Sequence, residues 1–213
     1  MKTLLLLSLT TFTSFGQVVQ VPPKQIVPMD VQLRAKAAVQ AQVEKTLQGD
    51  FKGVVEKMNP DHLKILAREM KVPVANVKAR KVAQLQAIGQ QGVVLEAMIT
   101  LPPAGAFEVD YGFEDRIVDG KPVKVAGYRS WMVFIPAVMD ISAMDRAAQP
   151  PRMRTIRKWS FEVAISRKKE EEWTFVNGDV VNALELRKLF KFLPQKDSAF
   201  NFPVKKAEEV ERK

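Results

Sequence analysis

Four side chains on predicted strands could carry out acid–base chemistry: Asp110, Tyr111, Tyr128 and Glu162. A carboxylic acid or phenol that points into an apolar pocket has its pKa raised and can act as a general acid or base. Asp110 and Glu162 alternate with large apolar neighbours, so the alternative is that both lie on the solvated side of a strand. Tyr111 falls on the apolar side, where a core position is the alternative.

A second candidate site is cationic. Arg152, Arg154, Arg157 and Lys158 cluster near the start of one predicted strand and could bind an anion, such as the headgroups of an envelope surface. The alternative is a solvated charged face. Aromatic residues are not interleaved with these charges as they are in proteins that bind single-stranded nucleic acid. We therefore predict no nucleic-acid partner.

The chain contains one histidine and no cysteine. His62 follows Asn59, Pro60 and Asp61, a helix-start sequence in which polar side chains are expected to be exposed. Disulfides, thiolate zinc sites and a cysteine nucleophile are excluded by composition. Any histidine metal site or histidine-containing triad would depend on His62, and catalysis through His62 is the alternative to an exposed capping neighbour. Glycine-rich phosphate loops and nucleophile elbows are also missing from the sequence. We predict neither a metal nor a cofactor.

The N-terminal residues predict export. A basic start and a leucine-rich segment up to Phe15 have the form of a secretory signal, and Ser14 and Gly16 supply the small residues of a cleavage site. The signal would be residues 1–16. Its apolar segment is too short to span a membrane, because a membrane-spanning helix needs ~20 apolar residues. Loss of Lys2 lowers the formal charge from +9 to +8. The mature chain is expected in the periplasm or outside the cell.

The remaining chain is long enough for one domain. Residues 17–29 contain three prolines and predict an extended leader. Residues 30–194 carry the periodic patterns of a folded domain, and residues 195–213 are expected to form a poorly ordered charged tail.

Helical periodicity fills the first part of the domain. Apolar residues recur three and four positions apart, and the segments begin at residues that favour helix N-caps. The predicted helices run from Asp30 to Gly49, from Asp50 to Met58, from Asn59 to Pro73, and from there to Gly89 or Gly92, with a last helix after Asn182.

From Val93 the period changes to two, which indicates strands. Asp119-Gly120 predicts a tight hairpin turn, because both central residues of a type I′ turn need positive φ. Pro136 predicts a bulge or bend in a central strand, and residues 140–151 are expected to form a loop. The predicted strands are residues 93–101, 107–113, 128–139, 157–166 and 172–178.

The last two strands should pair as a hairpin around which the sheet is organised. In the first strand, large apolar residues alternate with smaller or polar ones: Trp159, Phe161, Val163 and Ile165. The second strand shows the same pattern with Trp173 and Phe175. We expect these tryptophans to help build one sheet face. Helices followed by antiparallel strands predict an α+β fold, with the helices on one face of a curved sheet and a short C-terminal helix.

Three segments resemble a known family: residues 46–60 (Thr-Leu-Gln-Gly-Asp-Phe-Lys-Gly-Val-Val-Glu-Lys-Met-Asn-Pro), residues 134–140 (Phe-Ile-Pro-Ala-Val-Met-Asp) and residues 172–178 (Glu-Trp-Thr-Phe-Val-Asn-Gly). They are similar to the SnoaL-like branch of the nuclear transport factor two-like superfamily. The resemblance implies a cone-shaped, cystatin-like domain with a pocket at its mouth and frequent dimerisation through the open sheet face. Its members include isomerases, hydratases and exported proteins without known activity. No catalytic signature of the enzymes can be placed on this sequence.

Two functions follow as expectations. The first is an exported, non-catalytic binding domain that uses a sheet-lined pocket for a small apolar ligand, or its open sheet face for a protein partner or a second copy. The alternative is a lyase, isomerase or hydrolase for a small molecule. Its base would be Asp110 or Glu162, and its hydrogen-bond donor Tyr111 or Tyr128.

Overall fold

The structure is a computed structural model that describes residues 26–168, 170 and 172–210. The predicted signal peptide and most of the predicted leader lie outside these residues. Within them the fold is α+β, as predicted, and no helix is long and apolar enough to cross a membrane. The helices are α1 (Met29–Leu47), α2 (Phe51–Glu56), α3 (Pro60–Met70), α4 (Val74–Gln90) and α5 (Ala183–Leu189), and the strands are β1 (Val94–Thr100), β2 (Gly105–Val118), β3 (Lys121–Asp145), β4 (Arg152–Arg167), β5 (Trp173–Asn177) and β6 (Lys206–Val210).

The helix starts are determined largely by local capping. The Asp50 carboxylate accepts from the Gly53 amide at 2.9 Å, and the Asn59 side chain accepts from two amides of the first turn of α3. Asn182 caps α5 in the same way. These caps confirm the predicted starts of α2, α3 and α5. The first helix differs, because Pro28 occupies its N-cap and Asp30 lies inside its first turn.

The described strands form one antiparallel sheet centred on β3 and β4. These two strands pair without a register shift from Ser130–Arg167 to Asp145–Arg152. The free side of β3 pairs first with β2 and then with β1, and the free side of β4 pairs with β5 and β6. The Asp119-Gly120 turn is confirmed, since both residues have positive φ between β2 and β3.

Pro136 produces no bulge between the central strands, so the bulge predicted as one of two possibilities there is wrong. It pairs in regular register with Phe161 of β4. Its carbonyl points to the other side of β3, where it accepts from the Leu101 amide at 2.8 Å. Pro136 lies between the part of β3 that pairs with β1 and the part that pairs with β2. The missing N–H of proline therefore removes no hydrogen bond from either ladder.

The predicted loop at residues 140–151 is also too long. Strand β3 continues to Asp145, and β4 starts at Arg152. Opposite charges face each other across the two strands: Arg157 binds both carboxylate oxygens of Asp140 at 2.8 Å. Such cross-strand ion pairs stabilise this part of the sheet. Its side chains are too polar to show the alternation of apolar and polar residues from which a strand is predicted.

One sheet face is covered by α1. Ala35, Val39 and Val43 recur at four-residue spacing and pack on Val133 and Ile135 of β3. Ala164 of β4 and Phe175 of β5 complete this apolar cluster. Because β4 residues alternate between faces, Glu162 is on this helix-covered face as well.

The opposite face is covered too, which corrects the expectation of an open sheet face. Phe134, Phe161 and Val163 point to this side and are buried beneath α5 and the segment that follows it. The paired register Ala164–Phe175 places Phe175 on the α1 side, away from Phe161. The tryptophans of the β4–β5 hairpin therefore lie on opposite faces, contrary to the prediction.

The segment after Gln195 is part of the fold up to Val210. The prediction of a poorly ordered tail is therefore wrong for these residues. Phe200 is 0 % exposed, and its ring stacks on Phe202 with 5.1 Å between centroids. Phe202 in turn stacks on Phe134. Strand β6 then pairs with β4. Two aromatic residues therefore anchor a sequence whose composition is otherwise polar.

Gly178 lies where the chain leaves β5, and its amide donates to the Phe161 carbonyl at 2.8 Å. A Cβ added there would lie 2.2 Å from that oxygen and 2.7 Å from the Phe161 ring. We expect Gly178→Ala to lower the free energy of unfolding by about 1–3 kcal/mol, as overpacking does, measured by urea denaturation. Gly127→Ala is the control, because nothing lies within 4 Å of its Cβ position. Equal stability of the two variants would contradict this close packing.

Candidate functional site

A cavity of about 430 Å³ lies between the helices and the α1-covered face of the sheet. Its walls come from α1, α2, α3 and α4, and its floor from β4 and β5. Its size is within the range of small-molecule sites, which are typically apolar with a few polar groups. The lining has this character. Its apolar residues include Val39, Val43, Val55, Leu85, Met98 and Phe175.

The cavity exists because the connection between α2 and α3 is tied to the edge strand. The Asn59 amide donates to the Phe175 carbonyl at 2.8 Å, and the Phe175 amide donates to the Lys57 carbonyl at 2.9 Å. Met58 thereby forms a parallel bridge with Phe175. These bonds hold the two short helices over β5 and leave a space between them and α1.

Glu162 projects from the floor of this cavity. One of its carboxyl oxygens accepts from the Asn177 side chain at 3.1 Å. Burial and the nearby negative charge of Asp179 raise the pKa of Glu162, the Asn177 hydrogen bond lowers it, and the net pKa is about 8. Glu162 is therefore mostly protonated at pH 7, when it can donate as well as accept a hydrogen bond.

Asp179 behaves differently, although it is near enough for its charge to act on Glu162. Burial acts to raise its pKa, but hydrogen bonds from Lys158 and Ser160 outweigh this and lower it. The Ser160 hydroxyl donates at 2.6 Å. Asp179 is thus a paired carboxylate, and its negative charge helps to keep Glu162 neutral.

His62 lines the same cavity and is only 5 % exposed, so the expectation of an exposed capping neighbour is wrong. Burial lowers the pKa of His62; the positive charge of Lys81 adds to this, while Glu185 and Glu69 oppose it. The imidazole is therefore neutral at pH 7. A sequence signal was available, because His62, Leu66 and Glu69 recur at helical spacing and all three line the cavity.

A charged group closes the end of the cavity next to α5. The Lys188 ammonium lies 2.9 Å from a carboxylate oxygen of Glu69 and 2.9 Å from one of Glu185. Both carboxylates line the cavity, as does Lys81 from α4. This end is charged, whereas α1 contributes only uncharged residues to the lining.

The two tyrosine candidates lie on the other side of the sheet. Tyr111 and Tyr128 are paired across β2 and β3 and meet edge to face, with 5.4 Å between ring centroids. Phe192 also packs against Tyr111. Because Tyr128 shares a face with Met132 and Phe134, neither hydroxyl can reach Glu162 through the sheet. The tyrosines belong to the aromatic packing of the second face.

Asp110 is outside the cavity as well. It has a positive φ of 60°, and its carboxylate accepts from the Arg129 guanidinium at 2.7 Å. It lines a separate polar depression with Arg167 and Glu170. The four acid–base candidates therefore do not form one site, and Glu162 alone lies in the cavity.

The basic cluster on β4 is largely paired with carboxylates. Arg154 binds Glu209 and Asp145, Arg157 binds Asp140, and Lys158 binds Asp179. An anion would have to compete with these partners, which weakens the prediction of an anion site. In the part of the chain that the structure describes, no group of three or more histidine, aspartate and glutamate side chains could hold a metal ion.

Comparison with protein-family models, curated proteins and solved structures finds no match to this chain. The cavity and its polar groups are therefore the basis for an inference about function.

Proposed function

We propose that this chain is an exported binding protein that holds a small, mostly apolar molecule in the cavity between the helices and the sheet. The observation that carries the proposal is the cavity itself, about 430 Å³ in volume and lined by valine, leucine, methionine and phenylalanine. Leaving such a surface in contact with water costs about 25 cal/mol per Å² of apolar area. An apolar ligand would recover this free energy on binding.

The polar groups of the cavity support a role in orienting the ligand. Glu162 and His62 are both neutral at pH 7 for the reasons given above, so each offers a hydrogen-bonding group without the full cost of a buried charge. A few such groups in an apolar site fix the orientation of a ligand. The resemblance to the SnoaL-like branch also implies a pocket, which supports the proposal.

Catalysis on such a molecule is the second candidate. It is favoured by one observation: a carboxyl group whose pKa is raised to about 8 and a neutral imidazole line the same cavity. The pair would replace the predicted combination of Glu162 with a tyrosine. Turnover of a bound molecule that is lost in Glu162→Gln, with binding retained, would favour this candidate.

Blocking the cavity tests the binding function. Ile88 of α4 lines the cavity, and its side chain is 41 % exposed, so a tryptophan there can project into the cavity without displacing the core. We expect Ile88→Trp to weaken binding of a fluorescent apolar dye at least tenfold, measured by fluorescence titration. Leu184→Trp is the matched control, because Leu184 is 62 % exposed and does not line the cavity. Unchanged dye affinity in Ile88→Trp, or equal losses in both variants, would contradict the proposal.

A further inference from the structure

Glu162 differs from the other carboxylates of the cavity in its partner. Glu69 and Glu185 each form an ion pair with Lys188 at 2.9 Å. Glu162 accepts a hydrogen bond from the neutral side chain of Asn177. Within residues 26–168, 170 and 172–210, no lysine or arginine forms an ion pair with Glu162.

The charges around Glu162 are balanced only while it is neutral. Glu69 and Glu185 carry two negative charges, and Lys188 and Lys81 carry two positive ones. His62 of α3 is neutral, and α1 and α2 contribute no ionisable side chain to the lining. Outside the lining, Asp179 is paired with Lys158, and Lys205 lies near it. Ionised Glu162 would add to the lining one negative charge that has no ion-pair partner.

We propose that the ligand of this cavity is a small apolar primary amine whose ammonium group pairs with Glu162. The assignment rests on the binding function proposed above and names the chemistry of the ligand. The apolar part would lie against Val43, Val55 and Met98, which line the cavity. The ammonium group would donate to the carboxylate oxygen of Glu162 that Asn177 does not bind.

Charge balance favours a cation over the other two ligand classes. A carboxylate ligand could bind Lys81, which lines the cavity and forms no ion pair among the described residues, but it would leave the site with one net negative charge. An alcohol or ketone would gain only a neutral hydrogen bond. A desolvated, hydrogen-bonded ion pair is roughly twice as strong as a neutral hydrogen bond. The amine is also the ligand that leaves the site neutral with Glu162 ionised.

The ion pair has a measurable consequence, because Glu162 must lose its proton to form it. The carboxylic acid and the ammonium ion become a carboxylate–ammonium pair, and one proton passes to the buffer. Since burial raises the pKa of Glu162 to about 8, most molecules carry this proton at pH 7. Amine binding should therefore release nearly one proton, whereas binding of an alcohol should release none.

Titration calorimetry at pH 7 with octylamine, octan-1-ol and octanoate tests the assignment, with each titration repeated in two buffers of different ionisation enthalpy. We expect octylamine to bind at least tenfold more tightly than octan-1-ol, and octanoate to bind most weakly. Glu162→Gln should bring octylamine to the affinity of the alcohol and abolish proton release. Glu172→Gln is the control, because Glu172 pairs with Lys57 outside the cavity.

Two results would overturn the amine assignment but leave the binding function intact: octan-1-ol binding as tightly as octylamine, or Glu162→Gln retaining the preference for the amine. If none of the three compounds binds, both the assignment and the proposed function fail. Misfolding of the variant cannot imitate the expected result, because Glu162→Gln must still bind octan-1-ol with wild-type affinity.

Discussion

Replacement of Phe200 by alanine is expected to lower the free energy of unfolding by about 3–5 kcal/mol, the cost of deleting a buried phenylalanine. The ring is 0 % exposed and packs on Phe202 and Phe107. Through Phe202 it is connected to Phe134 and Phe161, the centre of the second sheet face. Loss of the ring would leave a cavity where the C-terminal segment meets the sheet.

Urea denaturation followed by tryptophan fluorescence would measure this effect. Phe113→Ala is the matched control, because it deletes the same side chain at a position that is 62 % exposed on β2. We expect the control to cost less than about 1 kcal/mol, as for most surface positions. Similar stabilities of Phe200→Ala and wild type would show that the segment after Gln195 does not pack on the sheet.

Replacement of Glu162 by glutamine is expected to stabilise the protein at alkaline pH. The pKa of Glu162 is about 8 in the fold, against an ordinary value of 4.5. As the pH rises between these values, the unfolded chain loses the proton while the folded chain keeps it, so the wild type loses stability. The loss is about 1.4 kcal/mol for each pH unit, or up to about 5 kcal/mol in all. Glutamine resembles the protonated acid and does not titrate.

The measurement is the difference in unfolding free energy between Glu162→Gln and wild type at pH 4.5, 6.5 and 8.5. We expect the difference to be near zero at pH 4.5. At pH 6.5 and again at pH 8.5 the unfolding free energy of the variant should exceed that of wild type by a larger amount. Glu172→Gln should show no such growth, because the hydrogen bond from Lys57 lowers the pKa of Glu172. Parallel pH profiles for wild type and Glu162→Gln would mean that Glu162 is ionised in the fold and not held neutral.

The parts of the fold that could be predicted from the sequence are those that local chemistry determines. Asp50, Asn59 and Asn182 cap helices because their side chains reach amides three residues away or fewer. Asp119 and Gly120 form the turn because they tolerate positive φ. None of these features depends on the position of a distant element.

The parts that could not be predicted depend on register and on distant contacts. The period of two in β4 and β5 is visible in the sequence, but the pairing of Ala164 with Phe175 is not, and this register puts Trp159 and Trp173 on opposite faces. Phe200 is buried only because α5 returns the chain to the second face of the sheet.

The candidate site shows the same division. Glu162 could be singled out as a carboxylate on an otherwise apolar strand, yet the same pattern also predicts a solvated position. Burial decides between the two, and it comes from helices more than 70 residues earlier in the chain. The exposure predicted for His62 is wrong for the same reason, since its capping neighbourhood indicates exposure and the packing of α3 over the cavity buries it.

The most direct test of the central claim is a methyl NMR titration of the protein with octan-1-ol, a neutral ligand that does not depend on the assignment of an amine. Binding in the cavity predicts saturable shifts of the methyl groups of Val39, Val43, Val55 and Leu85, which line it. The exposed methyl groups of Ile117, Val118 and Val123 on the β2–β3 hairpin should not shift. Shifts confined to these exposed residues, or no saturable shift at any methyl group, would contradict the claim that the cavity is the binding site.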